Sequence, residues 1–280
     1  MAAALDRTGL RLTAAELMAL RPPARTARPR PASRRPGAIP ARIAGQGMDL
    51  REIRAFADGD DPRRIDPAAT ARTGHLHVRS FHEDRDDSTL LIADFRRPML
   101  WGTGAALRSV RAARHLAVLG WRAVARGGSL GLLVAGDEAP ASLAPATGSA
   151  QMQAVAGLLA RCHDAALLRT AAGHDPTPLA PVLARALRLV PAGGRVHLAT
   201  GPDGLLGTEA ALTRLAQGRR VEIHLLLDPL ETAPPRPALA VSDGAASRFG
   251  RLAPFDPQPL LAHLRQLGAS PHLVPPDDAG

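Results

Sequence analysis

Apolar and polar positions change their period repeatedly along this chain of 280 residues, and each change marks an element. Residues 88–93 form a short apolar run that ends at Asp94, and a helical pattern follows over 103–126. A second apolar run, 129–135, and a shorter one, 140–144, predict two more strands, and helical patterns follow at 149–168 and 178–189. The remaining pattern reads strand 195–200, helix 208–217, strand 221–227 and helix 257–267. Alternation of this kind predicts an α/β fold, a mostly parallel sheet with helices on both faces. Strands ending at Asp94, Thr200 and Asp228 place their following loops at one edge, where open α/β sheets bind ligands.

Ahead of that region the pattern is different. Thr13-Ala14-Ala15-Glu16 fits a capping box that opens a helix over 13–21, stopped by Pro22-Pro23. Between Arg21 and Arg42 lie seven arginines, six prolines and no acid, the composition of an extended spacer or an arm for an anionic surface. Over 45–81 the pattern predicts a small strand-rich unit, in which His75-Leu76-His77-Val78-Arg79 alternates as a half-exposed strand would. The expected organisation is a short N-terminal helix (1–20), an Arg/Pro-rich linker (21–44), the strand-rich unit (45–87) and the large α/β domain (88–280).

Composition narrows the functional classes. Hydrophobic residues make up 45% of the chain but only five Phe and two Trp are aromatic, so Leu, Val, Ala and Ile must build the core. All 35 basic residues are arginine, which biased coding explains more simply than function. The net charge of +9 is concentrated before residue 49, where nine arginines face only Asp6 and Glu16. A domain that tracks phosphates carries its basic excess on a folded surface, so nucleic acid is not the expected partner. Cys162 is the only cysteine, which rules out an internal disulfide and a cysteine-rich zinc site, and its helical context favours a packed side chain over a nucleophile. With no apolar run of 18 residues and no apolar leader core, the expectation is a cytoplasmic protein without membrane insertion.

The densest signal is Gly59-Asp60-Asp61-Pro62-Arg63-Arg64-Ile65-Asp66, followed by Ala71-Arg72, Val78-Arg79 and Glu83-Asp84-Arg85-Asp86. Read alone, Gly59 permits a positive φ, the residue before Pro62 is pushed to extended geometry, and the Asp side chains bond nearby N–H groups, so a fixed turn is expected. The run resembles the bacterial "domain of unknown function 58" proteins, whose motif reads G-D-D-x-R-x-I-D-W; here Pro67 replaces the Trp. The resemblance extends from about Thr13 onward. It implies a von Willebrand factor A-like domain, a MoxR-type AAA+ ATPase as one partner and a client protein as another. It also marks Gly59, Asp60, Asp61, Arg63, Ile65, Asp66 and Arg72 as family positions, expected to clasp this segment against the following domain rather than to catalyse.

Von Willebrand A-like domains often hold a divalent cation through Asp-x-Ser-x-Ser, a loop Thr and a further Asp. Such hard cations require oxygen ligands at each position. The corresponding text here is Asp94-Phe95-Arg96-Arg97-Pro98, so both serines are lost, to Arg96 and Pro98. Thr177 matches the loop Thr, and the last position falls at Gly201 with Asp203 displaced by two. The expectation is a degenerate site without a cation, in which Arg96 pairs with Asp94 in the ion's place.

Other chemistries do not assemble. GGSLG and GPDGLLG lack the phosphate-loop and dinucleotide fingerprints, and neither a Ser–His–Asp set nor paired carboxylates emerge from the spacing. His75, His77 and His82 lack a cluster that completes a tetrahedron. The resulting expectation is a non-enzymatic adaptor without cofactor, working with a MoxR-type AAA+ ATPase in assembly or maturation of a client complex. The alternative is a module that binds nucleic acid or an anionic surface through its arginine-rich arm.

Overall fold

The computed structural model describes residues 9–23, 44–57, 60–82, 87–169, 177–242 and 247–276. Gly59, Glu83, Asp84, Arg85, Asp86 and most of the Arg/Pro-rich segment lie outside the described residues. The chain divides into two units, one of Met1–Pro23 with Asp86–Gly280, the other of Ala24–Arg85.

In the small unit, β1 (Ala44–Ala55) pairs antiparallel with β2 (His77–His82). Between them stand a 3-10 turn (Pro62–Arg64) and helix α2 (Pro67–Thr73), so the unit is less strand-rich than its sequence pattern implied. The motif's acids explain the helical part. Asp61 accepts from Arg63 N and caps the 3-10 turn; buried Asp66 accepts from Ala69 N at 2.8 Å and caps α2. Pro67, in the place of the family Trp, sits in the first turn of α2, where its missing N–H has no partner to lose.

The large unit begins with α1 (Ala14–Ala19), shorter than the expected 13–21, in which Thr13 accepts from Glu16 N as the N-cap half of the expected capping box while the Glu16 carboxylate pairs with Arg114. Its sheet runs β3 (Ser88–Asp94), β4 (Ser129–Ala135), β5 (Ala141–Ala146), β6 (Arg195–Thr200), β7 (Arg220–Leu226) and β10 (Ser270–Val274), in the spatial order β10-β7-β6-β3-β4-β5. All neighbours are parallel except β4 and the edge strand β5. This is the mostly parallel α/β sheet expected from the sequence. The other edge, β10, was missing from the sequence pattern. Its Pro271 cannot donate to a ladder, and an edge strand tolerates that loss. A separate hairpin of β8 (Leu239–Ser242) and β9 (Ser247–Gly250) also escaped the pattern, being short and largely exposed.

Alternate residues of β3 point to opposite cores. Leu91 and Ala93 pack with α3 (Arg108–Ala125), α4 (Gly148–Arg169) and Leu12 and Leu17 of the N-terminal segment. Leu90 and Ile92 pack with α5 (Ala180–Leu189), α6 (Glu209–Ala216) and α8 (Gln258–Gln266). A seventh, short helix, α7 (Pro229–Thr232), follows β7. The N-terminal segment is fastened to the large unit by Leu107 N donating to Gly9 O at 2.9 Å, by Trp121 Nε1 donating to Leu17 O at 3.3 Å and by the Glu16–Arg114 ion pair. Gly9 has φ +89°, and a Cβ there would lie 2.0 Å from the Ala105 carbonyl oxygen, so no other residue fits. Among the described residues no helix is long and apolar enough to cross a membrane.

Candidate functional site

Chain connections leave β3 in opposite directions across the sheet, so the carboxyl ends of β3 and β6 flank a crevice of the kind in which open α/β sheets hold ligands. Asp94 ends β3 and is fully buried. Arg96, two residues on, turns back over it: Nε donates to Oδ1 at 2.8 Å and Nη2 to Oδ2 at 2.7 Å, a two-pronged charge-assisted contact. The remaining capacity of Asp94 goes to Arg96 N at 3.1 Å and to the Thr200 hydroxyl at 2.6 Å. Arg96 in turn donates Nη1 to Thr177 O at 2.8 Å and Nη2 to Gly204 O at 2.9 Å. Burial opposes its charge, but the carboxylate of Asp94, with Asp203 and Asp137 farther off, holds Arg96 more firmly protonated than usual.

This arrangement answers the cation question by its donor chemistry. A divalent ion needs lone pairs, and both oxygens of Asp94 already accept N–H and O–H groups, while the group over them is a cation. The residues do not fit a metal here. Thr177 contributes its carbonyl to Arg96, and its hydroxyl donates to Asp137 O at 3.1 Å. Helix α5 begins beyond Leu179 without a side-chain cap. Pro98 lies in a 3-10 turn (Arg97–Met99) that carries the chain off β3. Gly201 directs no side chain into the crevice; the residue that reaches Asp94 from β6 is Thr200, the strand end one position earlier. Gly204 matters through space: a Cβ there would stand 2.2 Å from Thr200 Oγ1, 2.9 Å from Arg96 Nη2 and 3.0 Å from Asp94 Oδ2.

A second charged layer adjoins the first. Arg108, fully buried at the start of α3, ion-pairs with Glu231, lies 3.6 Å from Asp203 and sits over the Trp101 ring at 4.3 Å. Burial raises the Asp203 carboxyl above its ordinary range, against the pull of Arg108. Asp228 caps α7 in a capping box with Glu231 and accepts from Thr103 N at 2.9 Å. Nearby, a pocket of about 210 Å³ is lined by Phe95, Gly136, Asp137, Cys162 and Arg169, smaller than the roughly 300–1,000 Å³ typical of small-molecule sites. Cys162 faces this pocket, and burial pushes its thiol up; His163 points elsewhere, its Nε2 2.9 Å from Ser109 Oγ. Burial holds His163 down to about 4.

The family-motif residues form no such crevice. Asp60 takes both Nη groups of Arg54, at 2.6 and 2.8 Å, and Ala57 N at 2.8 Å, which keeps its carboxyl below the usual range. Arg63 and Arg72 are exposed, and Ile65 bridges to Val78. His75 and His77 are tied to one another and to Thr73 by local bonds, His77 Nδ1 lying 2.8 Å from His75 O.

One cluster went unnoticed in the sequence. His197 of β6, Glu222 and His224 of β7, His272 of β10 and His115 of α3 gather on one face of the sheet. Burial, with the neighbouring histidines, holds His224 down to about 2; burial also dominates at His197, held to about 4. The available signal was Glu222-x-His224 on a predicted strand, since a spacing of two puts both side chains on one face.

The chain is 30% identical over 198 residues to the uncharacterized proteins Mb1516 of Mycobacterium bovis and Rv1480 of Mycobacterium tuberculosis, an overlap of 71% of this chain and 53% of theirs. It thus spans about half the length of these curated relatives. Among solved structures, the conserved hypothetical protein BatB from Bacteroides thetaiotaomicron superposes with a TM-score of 0.45 at 14% identity, over 67% of this chain and 89% of that one. An aerotolerance-related membrane protein from Bacteroides fragilis gives 0.41 at 14% identity, over 67% and 91%. Residues 52–195, from the small unit through β3 and into β6, match the family described as protein of unknown function DUF58, and the chain belongs to that family.

Proposed function

We propose that this chain is a non-enzymatic adaptor that grips a protein partner with the carboxyl edge of its sheet, without a cation at Asp94. The observation that carries this reading is the Asp94–Arg96 pair: the crevice where this sheet type holds ligands is filled by the protein's own guanidinium and closed by Thr200 and Gly204. Around it the exposed groups are Arg97, Leu206 and the outer part of Asp203, a mixed rim suited to another protein surface. The family resemblance suggests a MoxR-type AAA+ ATPase as that partner, with assembly or maturation of a client complex as the task and the cytoplasm as the place.

Co-expression of the full chain with a MoxR-type ATPase encoded beside it tests the proposal by pull-down in each nucleotide state. Arg97→Glu with Leu206→Asp alters the rim without touching the buried pair and should abolish capture. Failure of the wild type in every nucleotide state, with nucleic acid retained through the arginine-rich segment instead, replaces the adaptor with an anion-binding module.

A further inference from the structure

The histidine cluster lies away from the carboxyl edge. In the parallel register His197 pairs with Glu222, and His224 pairs with His272, so four side chains share one face across β6, β7 and β10. His115 of α3 approaches from above, its Nε2 3.0 Å from His224 Nδ1. On the other side of the His224 ring, Nε2 lies 3.2 Å from His197 Nδ1. Glu222 Oε2 is 3.5 Å from His197 Nδ1 and 3.6 Å from His272 Nε2.

We propose that His197, Glu222 and His224 form a site for a divalent transition metal of the zinc class, held through His197 Nδ1, Glu222 Oε2 and His224 Nε2. One ligand atom from each lies within 4.8 Å of the other two. A tetrahedral zinc ion with bonds of about 2.0–2.2 Å separates its ligand atoms by about 3.3–3.6 Å, and His197 Nδ1 lies 3.2 Å from His224 Nε2 and 3.5 Å from Glu222 Oε2. The carboxylate distances are the telling ones. At 3.5 Å from His197 and 3.6 Å from His272, Glu222 is too far for a good N–H···O bond to either ring, but it stands at ligand spacing from His197. Two imidazoles and a carboxylate are also the donor set that zinc accepts, whereas magnesium and calcium want oxygen alone.

The surroundings agree with this role. With His224 Nε2 on the metal, its Nδ1 carries the proton and donates to His115, the outer bond that orients a metal-bound imidazole. His197 and His224 are buried, whereas Glu222 is partly exposed and His272 half exposed, so the cluster borders solvent on the Glu222 and His272 side.

The test uses the full chain stripped with chelator and titrated with Zn2+, and with Co2+ as a spectroscopic probe. Calorimetry should give one equivalent of Zn2+ per chain, and Co2+ should develop the visible absorption of a low-coordinate N/O site. Glu222→Gln and His224→Gln should weaken binding beyond the roughly 10–100-fold loss that follows from removing an outer partner. His115→Gln should fall within that 10–100-fold range, and the exposed control His263→Ala should bind as wild type. Circular dichroism checks that each variant folds, and Glu222→Gln keeps the test decisive if a buried histidine variant does not. Absence of saturable binding, or one-equivalent binding unchanged in Glu222→Gln, overturns the proposal.

Discussion

Arg96 lays its guanidinium across both carboxylate oxygens of Asp94, at 2.7 and 2.8 Å, in a pair that is almost wholly buried. Removing one partner strands the other without water. Arg96→Leu and Asp94→Asn should therefore each lower stability by about 3–5 kcal/mol, read as a shifted denaturant midpoint. The double variant should lose less than the sum of the two, since neither charge is then left alone. Additive losses would mean that the pair contributes nothing as a pair.

The same pair predicts indifference to hard cations. Mg2+, Mn2+ or Ca2+ at millimolar concentration should give no saturable rise in Tm that depends on Asp94. Restoring the lost serines with Arg96→Ser and Pro98→Ser lifts the guanidinium off both oxygens and supplies two hydroxyls. That variant should gain Mg2+-dependent stability, approaching about 2.7 kcal/mol where the ion is at 100 times its Kd.

Gly204 is the seam of the lock. Gly204→Ala drives a methyl group to 2.2 Å from Thr200 Oγ1 and 2.9 Å from Arg96 Nη2, and both are held by buried bonds. A loss of about 1–3 kcal/mol is expected from this overpacking, whereas Gly207→Ala, where a Cβ meets open space and only φ is unfavourable, should lose less. Equal losses in thermal melts would locate the cost in the backbone alone.

His163 gives a pH prediction with a definite sign. Its folded value, about 4, lies below the ordinary 6.5, so the unfolded chain binds the proton more readily. The stability it contributes is fully present above pH 6.5 and is lost as pH falls toward 4, by about 1.4 kcal/mol per pH unit. The groups facing the ring are Ser109, Phe95 and, by its charge, Asp164. His163→Gln should flatten the stability profile between pH 6.5 and 4 relative to wild type, and an unchanged slope would contradict the assignment.

In the small unit the caps set the scale. Asp66→Ala removes a buried cap from α2 and should cost about 0.5–2 kcal/mol. Asp61→Ala acts on an exposed 3-10 turn and should cost less, a distinction that urea midpoints of the two variants can resolve.

The strands of the large sheet were legible because burial on both faces leaves near-continuous apolar runs, as in Leu90-Leu91-Ile92-Ala93. β10 was not, because Ser270-Pro271-His272 breaks the run at an edge where only Val274 is deeply buried. Arg96 over Asp94 was readable from adjacency along the chain. Thr200 was not, since its meeting with Asp94 depends on β6 lying beside β3, which no local pattern encodes. The histidines failed for the same reason: His115, His197, His224 and His272 are scattered over about 160 residues and converge only through strand register and helix docking. In the small unit, Asp61-Pro62-Arg63, with a spacing of two, and Asp66-Pro67-Ala68-Ala69, with a spacing of three, are capping signatures, and alternation along the flanking strands masked them.

The N-terminal segment has a consequence for how the molecule is made. Leu12 and Leu17 are synthesised well before their packing partners in α3 and α4, which extend to Arg169, with the whole small unit translated in between. At about 5–20 residues per second, α1 waits roughly 8–30 s before its binding groove exists. During synthesis it is a short peptide without its partners, and its docking, with Gly9 against Ala105, joins two stretches of one unit that are written far apart.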